Sequence, residues 1–361
     1  MDKTILESSN PILQEDLENI VERSMPALEQ MKGSTVLVTG ATGLIGSLAV
    51  EALACANRVK NMNIKILAFV RDKAKAEHVL GQIIHRPDVE LITGDVNEKI
   101  TIEQKIDFII HGANPTASKY FVTHPVETIK TILTGTENIL GLAVQKKVKS
   151  MVYLSSMEVY GQFPNEEKNV TEDQLGYIDI LDVRSSYSEG KRMAECMCVS
   201  YAAEYDVPVK IARLGKIIGP SAANEYDNSI ASEFAKCIIE HRDIVLHSTG
   251  ETMLNYCYTA DAIAAILKLM VKGEDGEAYN VTNDKEVLSV KDLAETLAEK
   301  YSDSGIKVIY DIPDDAKEFG YNKISTHILD NSKIQLFNCK FQKDVETSFE
   351  RVIRSYSKID N

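Results

Sequence analysis

The glycine-rich turn at residues 40–46 constrains the fold of this chain more than any other feature of the sequence. It follows a short β-branched run at residues 36–39 and precedes a helical pattern that continues to Ala54. Glycines in such a turn permit a sharp reversal, allow a phosphate group to approach the backbone, and let the helix pack close to the strand. The pattern therefore predicts a strand, a tight turn and a helix whose first amides bind a pyrophosphate.

Further short apolar runs alternate with longer helical patterns after this turn. The runs lie at residues 64–70, 90–94, 107–111, 151–155 and 209–214. Such alternation is typical of a parallel sheet with crossover helices. We expect an α/β fold of the Rossmann-like type, in which a doubly wound parallel sheet is accompanied by a smaller C-terminal substrate-binding lobe.

Three segments are expected along the chain. Residues 1–33 form an N-terminal helical extension, because apolar residues at helical spacing predict one amphipathic helix over residues 10–32. Residues 34–215 form a dinucleotide-binding domain that carries the catalytic residues. Residues 216–361 mainly form the substrate-binding lobe, interleaved with the first domain. Its predicted helices lie at residues 229–241, 290–301 and 345–356, and its predicted strands at residues 244–246 and 277–281.

Charge and composition exclude several classes of partner. The formal net charge is -14, and no basic stretch is long enough to follow a nucleic acid backbone. The acidic N-terminus lacks the basic region and apolar core of a secretory signal, and the longest apolar runs fall far short of the ~20 residues that cross a bilayer. We therefore expect a cytoplasmic protein without a membrane partner.

The six cysteines show neither the paired spacing of a disulfide framework nor that of a zinc site, so no metal is expected. They are Cys55, Cys196, Cys198, Cys237, Cys257 and Cys339.

Cofactor-binding residues are predicted where the first four strands end. The turn after the first strand supplies Gly40, Thr42, Gly43, Leu44, Ile45 and Gly46. Asp95 and Val96 would border the adenine, and the residues after the fourth strand would lie along the pyrophosphate and ribose. These last residues are His111, Gly112 and Ala113.

The end of the second strand leaves both NAD and NADP possible as the cofactor. A carboxylate at this position would bind an adenosine ribose hydroxyl, whereas an arginine would suit a 2′-phosphate. Arg71 occupies the position and Asp72 follows it. The arginine favours NADP slightly.

Tyr187 and Lys191 stand four residues apart, on one face of a predicted helix. A phenol is a poor base at neutral pH, but a nearby ammonium stabilises its phenolate and lowers its pKa. Lys191 can also bind the nicotinamide ribose. Ser156, at a strand end, can share a hydrogen bond with the phenol and the reacting hydroxyl. The set predicts proton removal by Tyr187 as hydride leaves for the nicotinamide.

The stretches TGATGLIG, YLSSMEVYG, YSEGK and YCYTADA together resemble the extended short-chain dehydrogenase/reductase family, also called the NAD-dependent epimerase/dehydratase family. Its members epimerise, dehydrate or decarboxylate nucleotide sugars with a tightly bound and recycled cofactor, and they commonly form homodimers. The likeness runs from about residue 35 to about residue 355. Two stretches are most similar to UDP-glucuronate decarboxylases: HGANPTASKYFVTHPVETIKTILTGTENIL and RSSYSEGKRMAECMC.

This resemblance implies that Ser156, Glu158, Tyr187 and Lys191 are the working residues. Glu158 follows Ser156 by two positions, so an extended strand would place both on one side and allow the carboxylate to assist proton transfer at C5. A solvent-facing or salt-bridged glutamate is the alternative.

Further residues are assigned to the substrate. Ser155 is expected to contact it, and Arg184 either pairs with a sugar carboxylate or caps the loop.

The sequence departs from the family at three positions. Met157 stands where dehydratases often have an acidic residue, and a thioether cannot donate a proton to a leaving hydroxyl. Lys216 replaces an expected asparagine, and Leu254 replaces an expected arginine that would hold the diphosphate. We hypothesise that Lys216 partly replaces the missing guanidinium. The alternative is a substrate with a different head group.

The leading function is modification of a nucleotide-diphosphate sugar through transient C4 oxidation, with decarboxylation of the UDP-glucuronate type as the nearest analogy. A 4,6-dehydratase, an epimerase and an NADPH-dependent reductase are the enzyme alternatives. A dinucleotide-binding scaffold is the alternative outside enzymes, and the intact Ser156, Tyr187 and Lys191 set argues against it.

Overall fold

A seven-stranded sheet, parallel throughout, forms the centre of the molecule. The computed structural model describes residues 6–163, 169–223, 229–313, 320–321, 324 and 328–356; the outermost ends of the predicted N-terminal and C-terminal segments lie outside this range. Its strands are β1 (Thr35–Thr39), β2 (Lys65–Val70), β3 (Val89–Thr93), β4 (Phe108–His111), β5 (Ser150–Ser156), β6 (Val209–Leu214) and β10 (Ala278–Val281). The strand order is β3-β2-β1-β4-β5-β6-β10.

The order reverses between β1 and β4, which lie side by side with Val38 opposite Ile110. Such a switch point opens a crevice at the carboxyl ends of the strands, where ligands of open α/β sheets bind. The predicted doubly wound α/β fold is confirmed, and the six strands predicted before Gly219 all occur within two residues of their expected bounds.

Helices cover both faces of the sheet, because alternate residues of β1 point to opposite sides. Val36 and Val38 pack with α1, α3, α4 and α9, whereas Leu37 packs with α6 and α7 on the other face. The helices of the first 272 residues are α1 (Pro11–Arg23), α2 (Met25–Met31), α3 (Leu44–Lys60), α4 (Lys73–Leu80), α5 (Ser118–Thr123), α6 (Pro125–Lys146), α7 (Ser185–Tyr205), α8 (Ile230–Ile239) and α9 (Thr259–Lys272).

The N-terminal extension contains two helices, which corrects the single helix predicted over residues 10–32. The break falls at Ser24, which has non-helical backbone angles, and Pro26 lies in the first turn of α2. Proline has no amide hydrogen and is accommodated only in the first turn of a helix, so the chain starts a new helix there. Asn10 caps α1 by accepting hydrogen bonds from Ile12 and Leu13.

The C-terminal part divides between the sheet and a separate core. Residues 277–281 were expected in the smaller lobe, but β10 pairs with β6 and extends the main sheet. α11 (Ser332–Gln335) lies against β10, and its Ile334 packs into the first apolar cluster. The other elements pack with α8 around a third apolar cluster. They are β7 (Lys216–Ile218), β8 (Ile244–Leu246), β9 (Met253–Tyr258), β11 (Val287–Ser289), α10 (Val290–Lys300), β12 (Val308–Tyr310) and α12 (Val345–Tyr356).

Within the described residues, every helix is too short or too polar to cross a lipid bilayer.

Candidate active site

The turn between β1 and α3 depends on glycine at two positions. Gly40 has φ +69°, a conformation that side chains disfavour, and a Cβ at Gly46 would lie 2.1 Å from the Gly40 carbonyl oxygen. Gly43 is the N-cap of α3, and among the described residues no side chain caps this helix start. The first amides of α3 are therefore free to bind an anion, and the helix dipole favours one there.

Thr39 and His111 join this turn to the end of β4. The Thr39 hydroxyl accepts hydrogen bonds from the amides of Gly112 (3.2 Å) and Ala113 (3.4 Å) and lies 2.7 Å from Nδ1 of His111. Burial, aided by the Lys191 charge, lowers the pKa of His111 to about 3, so the imidazole is neutral. The His111 side chain is therefore linked through Thr39 to Gly112 and Ala113, which are predicted to bind the cofactor. Thr39 itself was not predicted from the sequence.

The remaining residues predicted for the cofactor lie at the same edge of the sheet. Arg71 is exposed just after β2, while Asp72 caps α4 by accepting a hydrogen bond from the Lys75 amide. Asp95 accepts from the Asn97 amide, and Val96 is buried in the core beneath α6. In the turn, Thr42 and Leu44 are half-buried and Ile45 packs into the core of the sheet face that holds α3.

Tyr187, the first of the predicted catalytic residues, lies on the first turn of α7. Its side chain is 7% exposed, and its ring stacks on that of Phe121 in α5 at a centroid distance of 4.2 Å. Burial raises the pKa of the phenol above its usual range, the Glu158 carboxylate raises it further, and a hydrogen bond with Ser156 and the Arg184 charge lower it. Ser156 and Tyr187 therefore meet as predicted.

Lys191 lies one turn further along α7 and is almost completely buried. Its ammonium donates a hydrogen bond to the Leu154 carbonyl (2.7 Å) and lies 5.8 Å from the centre of the Tyr187 ring. Burial lowers the pKa of Lys191 to about 7, against the raising effect of Glu195. Burial has the largest effect on the pKa of both Lys191 and Tyr187. The lowering of the phenol pKa by Lys191 stays a prediction.

Glu158 reaches Tyr187 by a route that strand geometry does not explain. β5 ends at Ser156, and residues Met157–Tyr160 form a 3-10 helix that the Ser156 hydroxyl caps by accepting a hydrogen bond from the Glu158 amide. The alternation expected for an extended strand is therefore wrong at this point. The turn nevertheless carries the Glu158 carboxylate to Ser188, which donates a hydrogen bond to Oε2 at 3.1 Å, and to Arg184.

Arg184 is buried beside this carboxylate. Its Nη2 donates to Oε1 of Glu158 at 2.9 Å, and its Nε donates to the Gly320 carbonyl. The guanidinium carbon lies 4.7 Å from the centre of the Phe121 ring, so Phe121 contacts both Arg184 and Tyr187. The site thus combines a phenol, a hydroxyl, a carboxylate and two buried cations at the carboxyl end of the sheet.

Sequence comparison identifies the family. The sequence profile of the NAD dependent epimerase/dehydratase family matches residues 36–282. The chain belongs to this family. UDP-glucuronic acid decarboxylase 6 from Arabidopsis thaliana is 33% identical to it over 285 residues, which cover 78% of this chain and 79% of the relative. The resemblance stated from the motifs is confirmed, and the protein is an enzyme of the extended short-chain dehydrogenase type.

Solved structures of the family share this fold. UDP-glucose 4-epimerase from Thermotoga maritima superposes with a TM-score of 0.75 at 18% identity, covering 91% of this chain and 100% of its own. The dTDP-glucose 4,6-dehydratase from Streptomyces venezuelae gives 0.74 at 21% identity, covering 90% and 97%. At these identities the likeness establishes the fold alone.

One predicted substrate contact is corrected. The Ser155 hydroxyl is buried and donates a hydrogen bond to Glu195, which is itself paired with Arg213 at 2.8 Å. Adjacent strand residues point to opposite sides, so Ser155 faces α7 and joins a buried ion pair there. Its side chain is therefore engaged in the core of this family member and is not available to the substrate.

The positions that depart from the family pattern lie in different surroundings. Lys216 begins β7, opposite Tyr256, and is half-buried. Leu254 packs against the apolar core of the C-terminal lobe, and Met157 packs beside Val159 and Tyr160.

Two residues near the catalytic group were not identified from the sequence. Ser188 follows Tyr187 directly, and its position beside the predicted base was the available signal. Phe121 lies within the first of the two stretches that are similar to UDP-glucuronate decarboxylases. A single apolar residue in a helix, however, gives no indication in the sequence that it contacts a predicted catalytic residue.

Proposed function

We propose that this protein decarboxylates UDP-glucuronate through transient oxidation at C4 of the sugar. The observation that carries the proposal is the Glu158 carboxylate, held by Arg184 and Ser188 next to the Tyr187 phenol. A proton-accepting phenol serves C4, and a carboxylate beside it serves the neighbouring carbon. The 33% identity to a UDP-glucuronic acid decarboxylase supports the same reaction.

The residues present fit a nicotinamide dinucleotide. Gly40 and Gly46 let the turn pack closely against the residues after β4 and against α3, because a Cβ at either position would collide with backbone atoms. The start of α3, which no described side chain caps, suits a pyrophosphate. Gly40, Thr42, Gly43, Leu44, Ile45 and Gly46 would hold it, with His111, Gly112 and Ala113 beside it and Asp95 and Val96 at the adenine. When bound, this cofactor accepts hydride from C4 and later returns it.

Tyr187 acts as the base in the first step and as the acid in the last. Its phenol removes the proton of the C4 hydroxyl, and Ser156 holds that hydroxyl by a shared hydrogen bond. Lys191 is placed to bind the nicotinamide ribose and to add positive charge near the phenolate as it forms.

Decarboxylation then follows from the chemistry of a 4-keto uronate. The C5–C6 bond breaks, carbon dioxide leaves, and the electron pair moves into the C4 carbonyl as an enolate. Glu158 is placed to exchange the proton that C5 takes up. Met157 offers no acidic hydrogen to a leaving hydroxyl, which disfavours dehydration.

Product masses test this proposal directly. The purified protein is incubated with UDP-glucuronate and NAD, and the products are weighed by mass spectrometry. We expect a UDP-pentose with the loss of one carbon dioxide. Loss of water or an unchanged mass would reject decarboxylation in favour of a dehydratase or an epimerase. Net consumption of NADPH would favour a reductase.

The choice between NAD and NADP is proposed to depend on Arg71. The exposed guanidinium can pair with a 2′-phosphate, while Asp72 is occupied at the start of α4. We expect Arg71→Ala to weaken NADP binding about 10-fold and to leave NAD binding within about twofold. Titration calorimetry with both cofactors measures this, and equal NADP affinity in the variant would refute the role of Arg71.

A homodimer through α6 and α7 is also part of the proposal. Large apolar side chains are exposed on both helices: Val126, Ile129, Met193 and Val199. Exposed apolar clusters of this kind are typical of protein interfaces. Sedimentation of the wild-type protein and of Met193→Glu tests the dimer, which the variant is expected to weaken.

We also propose that the protein is cytoplasmic. Residues 34–215 form the dinucleotide-binding domain and residues 216–361 mainly form the substrate-binding lobe. Lys216 contributes positive charge at the diphosphate of the substrate.

A further inference from the structure

We infer that Arg184 selects substrates whose sugar carries a carboxylate, and that it binds this carboxylate through Nη1. The inference rests on the proposed function and adds a specificity-determining residue to it. Arg184 is 7% exposed, and its Nη1 is buried without a hydrogen-bond partner among the described residues. A buried guanidinium nitrogen that donates to nothing is rare, and it marks a place where an acceptor is expected to bind.

The rest of the guanidinium is fixed. Nε and Nη2 donate to the Gly320 carbonyl and to the Glu158 carboxylate, and the Phe121 ring lies against the flat face at 4.7 Å. Nη1 therefore cannot turn toward solvent unless these contacts break. A donor held in this way is preorganised for one ligand position.

The same contacts place Arg184 beside the reacting part of the sugar. Glu158, which pairs with Arg184, lies near the Tyr187 phenol, and Phe121 stacks on the Tyr187 ring. Tyr187 is the residue proposed to act at C4. C6 of a pyranose is joined to C4 through C5 alone. A sugar with its C4 hydroxyl at Tyr187 can thus present its C6 group to Arg184.

The chemistry of the donor favours a carboxylate over a hydroxymethyl group. A carboxylate has two acceptor oxygens and a negative charge, and hydrogen bonds between a guanidinium and a carboxylate are about twice as strong as those between neutral groups. A hydroxymethyl group offers one neutral oxygen. Arg184 would therefore distinguish UDP-glucuronate from UDP-glucose, which differ only in this group.

Titration calorimetry in the presence of NADH, which cannot accept hydride from C4, tests the inference with these two ligands without turnover. The wild-type protein should bind UDP-glucuronate more tightly than UDP-glucose. Arg184→Gln should weaken binding of UDP-glucuronate by about 10-fold or more and change binding of UDP-glucose by less than about twofold. Glu158→Gln breaks the same ion pair but keeps the arginine, so it should retain the preference for UDP-glucuronate. Arg184→Lys, with a charge but no fork, should retain part of it.

Several outcomes would overturn the inference. Equal loss of both ligands in Arg184→Gln would indicate a structural arginine, and unchanged binding of both would indicate that a buried water occupies Nη1. Should Arg184→Gln fail to fold, the wild-type protein still decides. UDP-glucuronamide lacks the charge and has one acceptor oxygen in place of two, so equal affinity for it and for UDP-glucuronate refutes selection of the carboxylate. Strong preference for UDP-glucuronate without release of carbon dioxide would leave the role of Arg184 standing and reject only the proposed reaction.

Discussion

Tyr187 combines burial with neighbours that act on its pKa in opposite directions. Burial and the Glu158 carboxylate hold the proton on the phenol, whereas Ser156 and Arg184 favour its release. For the proposed role of Tyr187 as the base, positive charge next to the phenol favours release of its proton. Lys191 supplies charge most fully below its own pKa of about 7. The pKa of the Tyr187 phenol therefore depends on the charges of the neighbouring side chains.

Removing the phenol hydroxyl tests this role. We expect Tyr187→Phe to lower turnover of UDP-glucuronate by at least about 100-fold, because the C4 proton loses its acceptor. Product formation measured by mass spectrometry gives the rate. The matched control is Tyr256→Phe, which removes a buried hydroxyl that has no partner among the described residues and lies in β9. Comparable losses of rate in the two variants would contradict a catalytic role for Tyr187.

At the scale of elements, short connections bring the site together. The β1–α3 turn, the end of β4 and the 3-10 helix after β5 all lie at the carboxyl edge of the sheet. α5 follows the β4 loop and carries Phe121, whose ring rests on Tyr187 in α7. The Ser186 hydroxyl also donates to the Phe121 carbonyl, so α5 and α7 are joined twice. The loop predicted to border the cofactor is thereby connected to α7, which carries Tyr187 and Lys191.

Close packing in the β1–α3 turn predicts the effect of adding one methyl group. A Cβ at Gly46 would collide with the Gly40 carbonyl, so Gly46→Ala should lower the free energy of unfolding by about 1–3 kcal/mol and weaken NAD binding. Urea denaturation and titration with NAD measure the two effects.

Gly141→Ala is the control for this substitution. Gly141 lies inside α6 and a Cβ there meets open space, so alanine should stabilise the helix by up to about 1 kcal/mol. A Gly46→Ala protein as stable as Gly141→Ala, with unchanged NAD affinity, would show that the turn tolerates a side chain.

At the scale of the whole molecule, the N-terminal helices join the sheet to the C-terminal lobe. Asp16 in α1 accepts hydrogen bonds from the Tyr258 hydroxyl at the end of β9 and from Arg351 in α12 (2.8 Å). Arg23 forms an ion pair with Asp261 in α9. α1 also packs against α3, which begins at the glycine turn. The extension, which lies outside the matched part of the family profile, therefore joins the C-terminal lobe to the helices that cover the main sheet.

Asp16 makes this connection sensitive to pH. Burial raises its pKa to about 6 from the ordinary 3.8, Glu15 raises it further, and Tyr258 and Arg351 lower it. The folded state thus binds the proton more tightly than the unfolded state. The stability that protonation adds is fully present below about pH 4 and is lost as the pH rises through about 6.

Relative to Asp16→Asn, which does not titrate, the wild-type protein should lose on the order of 2–3 kcal/mol of unfolding free energy between pH 4 and pH 7. Urea denaturation across this range measures the difference, and Asp303→Asn, at an exposed carboxylate, should show no such trend. A wild-type protein that gains stability over Asp16→Asn as the pH rises would mean that the Arg351 ion pair outweighs burial.

The sequence by itself determined the features that local spacing controls. Three such features are the glycines of the first turn, the alternation of strands and helices, and the four-residue spacing of Tyr187 and Lys191. Each indicates a structure from residues that lie close together in the sequence. The family and the fold followed from them and were confirmed. The break at Ser24 was also local, since Pro26 was visible in the sequence.

Only the tertiary structure decided which distant residues meet. Arg184 contacts Gly320, Phe121 contacts Tyr187, and Ser155 turns toward Glu195, although each pair is separated by 40 residues or more. β10 enters the main sheet beside β6 for the same reason. Contacts between such distant residues depend on the order of the strands in the sheet and on the direction of each connection. The spacing of residues along the chain specifies neither of these.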